Sequence, residues 1–280
     1  MLRGSPQEQE YVPSLVIQNS GAAMANNQAL LNFLTVAPPA LPTQNTNKTP
    51  NTTNPNYSWG DINSVGQWPG FTYAHIMHRY GTLLQQAQIA SEPMPNSPPQ
   101  PINTEPMFAL RFNTYIQSRL RRALRAGFQP LAPQLANLHL TPITVDIGDA
   151  ATIIDNYRPD IAFFQAGSAL NSSPNRCPGD LKVSWKWESG YRTSLVPGDR
   201  REYLQVLSQV NYYMGQHCAR YGFVLSDTEL VPIKRLDGNG NLVVAQAIPW
   251  EAEGPGRLTI LLGLWYLGML GAADNDWRLL

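Results

Sequence analysis

Cysteine and histidine are scarce in this sequence, and their scarcity excludes several kinds of site. The 280 residues include two cysteines, Cys177 and Cys218, which provide neither a disulfide framework nor a cysteine-rich zinc cluster. The 4 histidines are scattered along the chain. His75 and His78 lie three apart in a predicted helix, but no acidic residue is near them in sequence, so a surface or core position is favoured over a metal site.

An excess of either charge is also missing. The chain carries 20 basic and 20 acidic residues, for a formal net charge of +0. This balance argues against a protein that coats nucleic acid through uniform positive charge, although it permits a local basic groove.

Long hydrophobic runs are absent as well. The N-terminus has no continuous apolar stretch of the kind found in a secretory leader. Residues 258–270 are strongly apolar, but they are too few to cross a bilayer, and they predict a buried C-terminal helix. These absences predict an intracellular protein, cytoplasmic or nuclear, with no membrane partner.

Composition divides the chain into three predicted parts. Residues 1–56 predict a largely disordered segment, because their second half is dominated by Asn, Pro and Thr. Residues 57–104 predict a helical N-terminal extension followed by a proline-rich linker. Residues 105–280 predict one globular domain. The N-terminal segment is also a candidate docking site for a protein partner.

Asp160, Asp180 and Lys182 have the clearest chemical meaning. A strand places residues i and i+2 on one face, so Asp180 and Lys182 are predicted to point the same way. Residues 180–187 alternate between polar and apolar side chains, which predicts a strand with one face toward a core. Two carboxylates can hold a divalent cation, and a lysine beside them can orient water. These are the groups required for metal-assisted hydrolysis of a phosphodiester.

The surrounding segments predict an ordered series of helices and strands. The series is a helix over 105–126, a buried strand over 158–165, a loop over 166–179, the strand that begins at Asp180, a helix over 200–220, a strand-like run over 223–233, and a hairpin turn at 237–240 leading to a strand over 242–245.

Two motifs in this series carry a resemblance to a known family. Pro159-Asp160, followed after nineteen residues by Asp180-Leu181-Lys182, resembles the motif of the PD-(D/E)XK nuclease superfamily. Gln209 and Tyr213 fit the Q-h-x-x-Y pattern of its RecB and lambda-exonuclease branches. The match runs from about Glu105 to the C-terminus, and the sequence is similar to a group of fungal proteins that carry this fold. The resemblance implies a mixed α/β fold with a restriction-endonuclease-like αβββαβ core, in which helices flank a central mixed sheet.

The resemblance also implies roles for the acidic and lysine residues. Asp160 and Asp180 would bind Mg²⁺ or Mn²⁺ together with the backbone carbonyl of Leu181, and Lys182 would orient the attacking water. Glu105 is a candidate third acidic ligand, and a simple interaction with the helix dipole is an equal alternative. Three further carboxylates compete for the third position: Asp146, Asp149 and Asp155. The expected activity is a metal-dependent nuclease whose products carry a 5′-phosphate.

A second set of residues is predicted to contact nucleic acid, with DNA favoured over RNA. The resemblance places Gln209 and Tyr213 beside the active site, although Tyr213 could equally be core. Arg119 and Arg122 come from a predicted helix with five arginines, which is either a phosphate-facing surface or a solvated basic face. Lys186 continues the polar face of the Asp180 strand. Two alternatives stay open: a nuclease-derived binding module without catalysis, and an interaction protein such as an effector or conflict-system component.

Overall fold

The structure, a computed structural model, describes residues 26–279, and this range contains both helices and strands. The α-helices are α1 (Leu30–Leu34), α2 (Tyr73–Gln86), α3 (Glu105–Phe112), α4 (Ser118–Phe128), α5 (Pro197–Gln216) and α6 (Ile260–Ala272). The strands are β1 (Asn27–Ala29), β2 (Ser64–Gln67), β3 (Gln88–Ala90), β4 (Ile143–Ile147), β5 (Ile161–Gln165), β6 (Gly179–Leu181), β7 (Tyr221–Leu225), β8 (Glu229–Arg235), β9 (Asn241–Val244) and β10 (Ile248–Pro249).

A mixed sheet of 8 strands forms the centre of the fold. Its order is β2-β9-β8-β7-β6-β5-β4, and β10 pairs with β8. The β6–β7 and β2–β9 pairs are parallel, whereas the other pairs are antiparallel. The predicted class, a mixed α/β fold with a central mixed sheet flanked by helices, is therefore confirmed.

Helices cover both faces of this sheet. Successive residues of a strand point to opposite faces, and β7 shows the consequence. Phe223 and Leu225 enter the core that contains α4 and α6, whereas Val224 packs with the apolar side chains of α5. The strands at the centre of the sheet are thus buried on both sides, and α5 lies alone across the second face among the α-helices of residues 26–279.

The helix predicted over 105–126 is present as α3 and α4, joined by a turn of π-helix at Asn113–Gln117. The apolar C-terminal segment also folds as predicted, because every residue of α6 is buried. Within residues 26–279, we find no helix whose length and apolar character would let it span a bilayer.

The predicted disorder of residues 1–56 is wrong for the part that the structure describes, from residue 26 onward. Leu30, Phe33 and Leu34 of α1 are fully buried in the main core. The predicted boundary at residue 105 is not a boundary in the core either, since β2 forms an edge of the central sheet and pairs with β9. The prediction failed because it rested on the composition of the polar tract at 37–56 and overlooked the short apolar run that precedes it. Residues 1–25 lie outside the described residues.

The strand predicted over 180–187 is much shorter than its alternating pattern suggested. β6 ends at Leu181, and the N–H groups of Lys186 and Trp187 both donate to the carbonyl of Val183 in a tight turn. The physical reason is Asp227, whose carboxylate accepts hydrogen bonds from the backbone N–H (2.6 Å) and the hydroxyl (2.8 Å) of Ser184. This contact draws the chain out of the sheet.

The strand-like run over 223–233 is split into β7 and β8. Ser226 closes the turn between them, because its N–H donates to the carbonyl of Glu229 at 2.8 Å and its hydroxyl accepts from the N–H of Thr228 at 3.3 Å. The hairpin predicted at 237–240 is confirmed as the antiparallel connection between β8 and β9.

The two arginines predicted as phosphate contacts support the N-terminal region instead. Arg119 is 3% exposed, donates to the carbonyl of Glu92 at 2.6 Å, and lies 4.3 Å from the ring centre of Phe33. Arg122 pairs with the carboxylate of Glu92 and donates to the carbonyl of Ala90 at 2.8 Å. The prediction is wrong for Arg119, which is not available to a phosphate, and Arg122 is already paired.

We therefore expect Arg119→Gln to lower the free energy of unfolding by roughly 1–3 kcal/mol, because the Glu92 carbonyl loses a buried charged donor. Arg125→Gln is the matched control, since Arg125 is exposed on the same helix, and it should change stability by less than about 0.5 kcal/mol. Chemical denaturation measures both. Wild-type stability in Arg119→Gln, together with a weaker salt dependence of nucleic-acid binding, would restore the phosphate role.

Candidate metal and nucleic-acid site

A buried ion pair forms the base of the site. Asp180 is 1% exposed and Lys182 is 7% exposed, and the Lys182 Nζ lies 2.7 Å from the Asp180 Oδ2. Both residues sit where β6 runs parallel to β7, and the Lys182 N–H still donates to the carbonyl of Leu225 at 2.9 Å. The prediction that Asp180 and Lys182 point the same way is confirmed by this contact.

Asp160 joins this pair from the neighbouring strand. It immediately precedes β5, and its Oδ2 accepts a hydrogen bond from the Leu181 N–H at 2.7 Å. Its carboxyl group is close enough to Asp180 for each of the two to shift the pKa of the other. Asp160 keeps access to solvent, whereas Asp180 does not. Asp160 therefore forms the mouth of the site and Asp180 its floor.

The charges in this site perturb one another strongly. Burial raises the pKa of Asp180 to about 7, against the attraction of Lys182, and the charge of Asp160 adds to the rise. Loss of hydration among the surrounding protein atoms also raises the pKa of Asp160. The charge of Lys182 and the hydrogen bond from the Leu181 N–H lower it. Burial lowers the pKa of Lys182, but the surrounding carboxylates together raise it above its usual value, so Lys182 stays charged.

Gln209 and Tyr213 of α5 reach this site together, as the helical spacing predicted. The Gln209 side-chain amide donates to the Asp180 Oδ1 at 3.2 Å and to the Tyr213 hydroxyl at 3.1 Å. Tyr213 is 5% exposed, so it has little surface for nucleic acid. The pair thus supports the carboxylate, while a direct contact of Tyr213 with nucleic acid stays a prediction.

Glu105 and Lys186 stand beside the site as a second ion pair. The Lys186 Nζ lies 3.5 Å from the Glu105 Oε1 at the start of α3. The charge of Glu105 also contributes to the raised pKa of both Asp160 and Asp180, which places it near them. Lys186 is 22% exposed at its side chain and faces this cluster. Glu105, the first candidate for the third acidic ligand, therefore lies beside the site, where it is paired with Lys186.

Of the three other candidate acids, two are paired elsewhere and one lies in an exposed turn. Asp146 accepts from Gln117 at 2.9 Å and pairs with Arg121 at 2.6 Å. Asp149 pairs with Arg158 at 3.1 Å, and Asp155 lies in a turn with a φ of 51°. Sequence distance alone could not separate these acids from Glu105.

The donor set suits a hard divalent cation that keeps water ligands. Among residues 26–279, no group of three or more His, Cys, Asp or Glu side chains is arranged to hold a metal ion. Mg²⁺ is commonly bound by one or two carboxylates, with waters and substrate phosphates filling the remaining positions. The buried Asp180 Oδ2 faces the Lys182 ammonium at 2.7 Å without a well-aligned hydrogen bond, and the carboxylate of Asp160, which is exposed, is close to it. These two residues fit such a cation, and Leu181 directs its N–H to the same edge.

Tyr57 is the site residue that the sequence did not reveal. It is 5% exposed, and its ring centre lies 6.4 Å from that of Tyr213. It directly follows the Asn-, Pro- and Thr-rich segment and opens the part of the chain that was predicted to be a helical extension. The sequence of α5 did contain a signal that a polar segment packs on this helix. Asp199, Glu202 and Gln205 follow one another at intervals of three on the helix face that leads to Gln209.

Comparisons of this chain with protein-family models, with curated proteins and with solved structures found no match.

The raised pKa of Asp180 predicts a specific pH dependence of stability. The folded state holds this proton more tightly than the unfolded state, whose carboxyl has a pKa near 4. The contribution of this proton to the free energy of unfolding is fully present below about pH 4 and is lost as the pH rises through about 7. Asp180→Asn should flatten the slope of the unfolding free energy over this range, whereas Asp155→Asn, at an exposed turn, should not.

The same titration should govern metal binding, because a carboxylate binds Mn²⁺ only after losing its proton. We expect Mn²⁺ to raise the melting temperature of the wild type more at pH 8 than at pH 6, and Asp180→Asn to lose most of this shift at both. Thermal unfolding with and without Mn²⁺ measures it. An identical metal response in wild type and Asp180→Asn would place the metal elsewhere.

The close approach of Gly148 to the backbone of Pro159 and Asp160 holds Asp160 in place. A Cβ atom at Gly148 would overlap the carbonyl oxygen of Pro159, and the Gly148 N–H donates to the Asp160 carbonyl at 3.0 Å. Gly148→Ala should therefore cost roughly 1–3 kcal/mol of stability and weaken the Mn²⁺ response. Gly198→Ala, in the first turn of α5, would meet its nearest atom at 4.0 Å and should be neutral or slightly stabilising. Equal melting temperatures and equal Mn²⁺ responses in the two variants would contradict this account.

Proposed function

We propose that this protein is a Mg²⁺- or Mn²⁺-dependent nuclease of the PD-(D/E)XK type that hydrolyses phosphodiester bonds, with DNA as the favoured substrate. The observation that carries the proposal is the convergence of Asp160, Asp180 and Lys182 at one place, with Gln209 from a separate helix on the Asp180 carboxylate. The first three residues have the spacing of the nuclease motif, because Asp160 precedes Asp180 by twenty residues and Lys182 follows it by two. Gln209 belongs to the second motif.

The order of elements supports the same proposal. From Glu105 onward the chain forms α3 and α4, then β4, β5 and β6, then α5 and β7. This order matches the αβββαβ series that the resemblance implies, and the match supports the proposal. The central strands run β4, β5, β6, β7 across the sheet, with only the last pair parallel. The parallel pair requires a crossover, which α5 supplies.

In this proposal Asp160 and Asp180 hold the cation, and the Leu181 carbonyl is the backbone ligand implied by the resemblance. The cation would polarise a phosphate oxygen and lower the pKa of a bound water. The chain's own residues set up this chemistry: Asp180 is fixed by Gln209 on one oxygen and by Lys182 on the other. Asp160 faces solvent, so it is the carboxylate that substrate and water would meet first.

Lys182 is assigned the catalytic role. Its ammonium remains charged and sits in a region from which water is largely excluded, where a fixed positive charge stabilises developing negative charge far better than it would in water. It can orient a water molecule by donating a hydrogen bond. Lys186, which is more exposed, is the candidate for a phosphate contact. A nuclear or cytoplasmic location accompanies this proposal.

One observation favours the alternative of a binding module without catalysis. The Lys182 ammonium already pairs with Asp180 at 2.7 Å, an arrangement in which the two charges neutralise each other. A nuclease-derived domain that had lost its reaction would retain the fold through such a pair. Fold alone does not separate the two functions, so the test must be kinetic.

Lys182→Met separates these functions, since methionine keeps the buried stem and removes the charge. If Lys182 is catalytic, cleavage of DNA should fall by about 100-fold or more, while Mn²⁺ still raises the melting temperature. Lys234→Met is the matched control, because that ammonium lies 5.9 Å from the Trp68 ring, away from the carboxylates, and cleavage should stay within about twofold of wild type.

Cleavage is measured on single- and double-stranded DNA and on RNA with Mg²⁺ or Mn²⁺. A well-folded wild type that binds Mn²⁺ but cleaves none of these would overturn the enzyme and leave the binding module. Preferential cleavage of RNA would keep the reaction and correct the substrate.

A further inference from the structure

Residues 48–61 form a strap that lies on α5 beside the site. Lys48 pairs with Asp199 at 2.9 Å near one end of the strap. Asn51 is 5% exposed, and both its backbone N–H and its side-chain amide donate to the Glu202 Oε2 at 2.8 Å. Each of these contacts joins residues more than a hundred positions apart, so the strap is attached by tertiary structure and not by local sequence.

Trp59 lies near the other end of the strap, in a segment whose backbone is fixed. The Trp59 N–H donates at 3.0 Å to the side-chain oxygen of Gln205, which is 4% exposed. The N–H of Ser58 donates to the Asp61 carboxylate at 2.6 Å. Both bonds are made by backbone groups of the strap, so they hold Trp59 in position without burying its side chain.

The Trp59 side chain is left at the surface. All seven tryptophans lie within residues 26–279, and Trp59, at 46%, is the only one that is exposed rather than buried or half-buried. An indole in water leaves a large apolar surface uncovered, and tryptophan is enriched where a protein binds another molecule. An exposed indole on a fixed segment is therefore a candidate binding surface.

Arg201 of α5 adds positive charge to this surface. Its guanidinium lies over the Trp59 ring, 5.3 Å from the ring centre, within the range of a cation–π interaction. Arg201 is itself exposed. The two acidic residues nearest to it on α5 are engaged with the strap, Asp199 with Lys48 and Glu202 with Asn51. The positive charge of Arg201 can therefore meet a phosphate.

A second cation and aromatic ring form a similar pair at the start of the strap. The Lys48 Nζ lies 4.5 Å from the ring centre of Tyr191, and its side chain is 54% exposed. The strap thus begins and ends with a basic side chain over an aromatic ring. Basic and aromatic side chains that interleave along a surface are typical of grooves for single-stranded nucleic acid.

This surface borders the proposed site. Gln205, which holds Trp59, and Gln209, which contacts the Asp180 carboxylate, are four apart and thus neighbours on one face of α5, about 6 Å apart along its axis. A strand with a phosphate at Asp160 and Asp180 would therefore pass Trp59 within a few nucleotides. We propose that Trp59 and Arg201 form a platform on which a base of single-stranded nucleic acid stacks.

The inference rests on the proposed nuclease function, and it narrows the substrate to a strand with unpaired bases. In a duplex the face of each base is covered by its neighbours, whereas a single strand can lay a base on an indole. Because every base has such a face, the platform would accept any sequence. Since the chain carries no net charge, stacking would supply affinity that long-range electrostatic attraction does not.

Binding of a labelled oligothymidylate of about 12 nucleotides, measured in EDTA, tests the platform without cleavage. Trp59→Ala should weaken binding by about fivefold to hundredfold, the range for one stacked base. Trp59→Phe keeps a ring and should restore most of the affinity. Leu138→Ala is the matched control, because Leu138 is also 46% exposed but lies between α4 and β4, and its affinity should stay within about twofold of wild type. Wild-type affinity in Trp59→Ala would overturn the platform.

Arg201→Gln tests the platform without changing the strap. Affinity should fall by about two- to tenfold, and the slope of log affinity against log salt should become shallower by about 0.7, because one phosphate contact of a single strand is lost. Arg257→Gln is the control, since Arg257 is exposed in the loop before α6, and it should leave both quantities unchanged. Equal effects of the two substitutions would overturn the role of Arg201.

A duplex of the same length tests the preference for unpaired bases. It should bind more weakly than the single strand, and Trp59→Ala should not weaken it further. A duplex that binds as tightly and loses as much affinity in Trp59→Ala would overturn stacking. An oligouridylate that loses affinity in Trp59→Ala as the DNA strand does would support stacking, because RNA bases have the same faces.

Binding in EDTA and cleavage with Mn²⁺ separate this inference from the proposed function. A wild type that cleaves DNA, with an unchanged affinity in Trp59→Ala, would remove the platform and leave the nuclease. Affinity that depends on Trp59, in a protein that cleaves nothing, would support the platform and overturn the enzyme. A wild type with no affinity for single strands would overturn the platform, while cleavage of duplex DNA would still support the nuclease.

Discussion

The burial of Asp180 is the constraint on which the rest of the site depends. Removing a carboxylate from water is costly unless it is paired and hydrogen-bonded, and this one is 1% exposed. Lys182 supplies the opposite charge, and Gln209 supplies a neutral donor. The balance is incomplete, since burial still raises the pKa of Asp180 to about 7. A carboxylate in this state at neutral pH has much to gain from a further positive charge, and the neighbouring Asp160 is exposed to solvent.

The sheet explains why these groups meet. β6 has only three residues, and it pairs with β5 through a single register position before the chain leaves the sheet. Beyond this position the Leu181 N–H donates to the Asp160 side chain and not to a backbone carbonyl of β5. The parallel pairing of β6 with β7 requires α5 to cross the sheet, and that crossing brings Gln209 over Asp180. A longer β6 would satisfy its backbone within the sheet and leave no place for the acidic pair.

Relations that are local in sequence were predictable, and those set by distant partners were not. Asp180 and Lys182 are two apart in a strand, and Gln209 and Tyr213 are four apart in a helix, so regular geometry alone brings each pair together. The outcome for Arg119 depended on Glu92 and on Phe33, which no periodicity connects to it. The end of β6 depended in the same way on Asp227, and the order of the N-terminal segment depended on polar residues of α5. A sequence pattern indicates on which face of an element a residue lies. It does not indicate which residue from a distant part of the chain contacts that face.

The charge of the site gives a further reason to expect that cation and substrate bind together. The groups that meet here are three carboxylates, from Asp160, Asp180 and Glu105, and two ammonium groups, from Lys182 and Lys186. With all of them ionised, three negative and two positive charges leave one negative charge, which repels a phosphodiester. One divalent cation changes this sum to one positive charge, and in a poorly solvated site that reversal is worth far more than it would be in water. Because the chain as a whole carries no net charge, long-range attraction of nucleic acid would be weak, and in the proposed function the cation would be the main electrostatic link between this site and a phosphodiester.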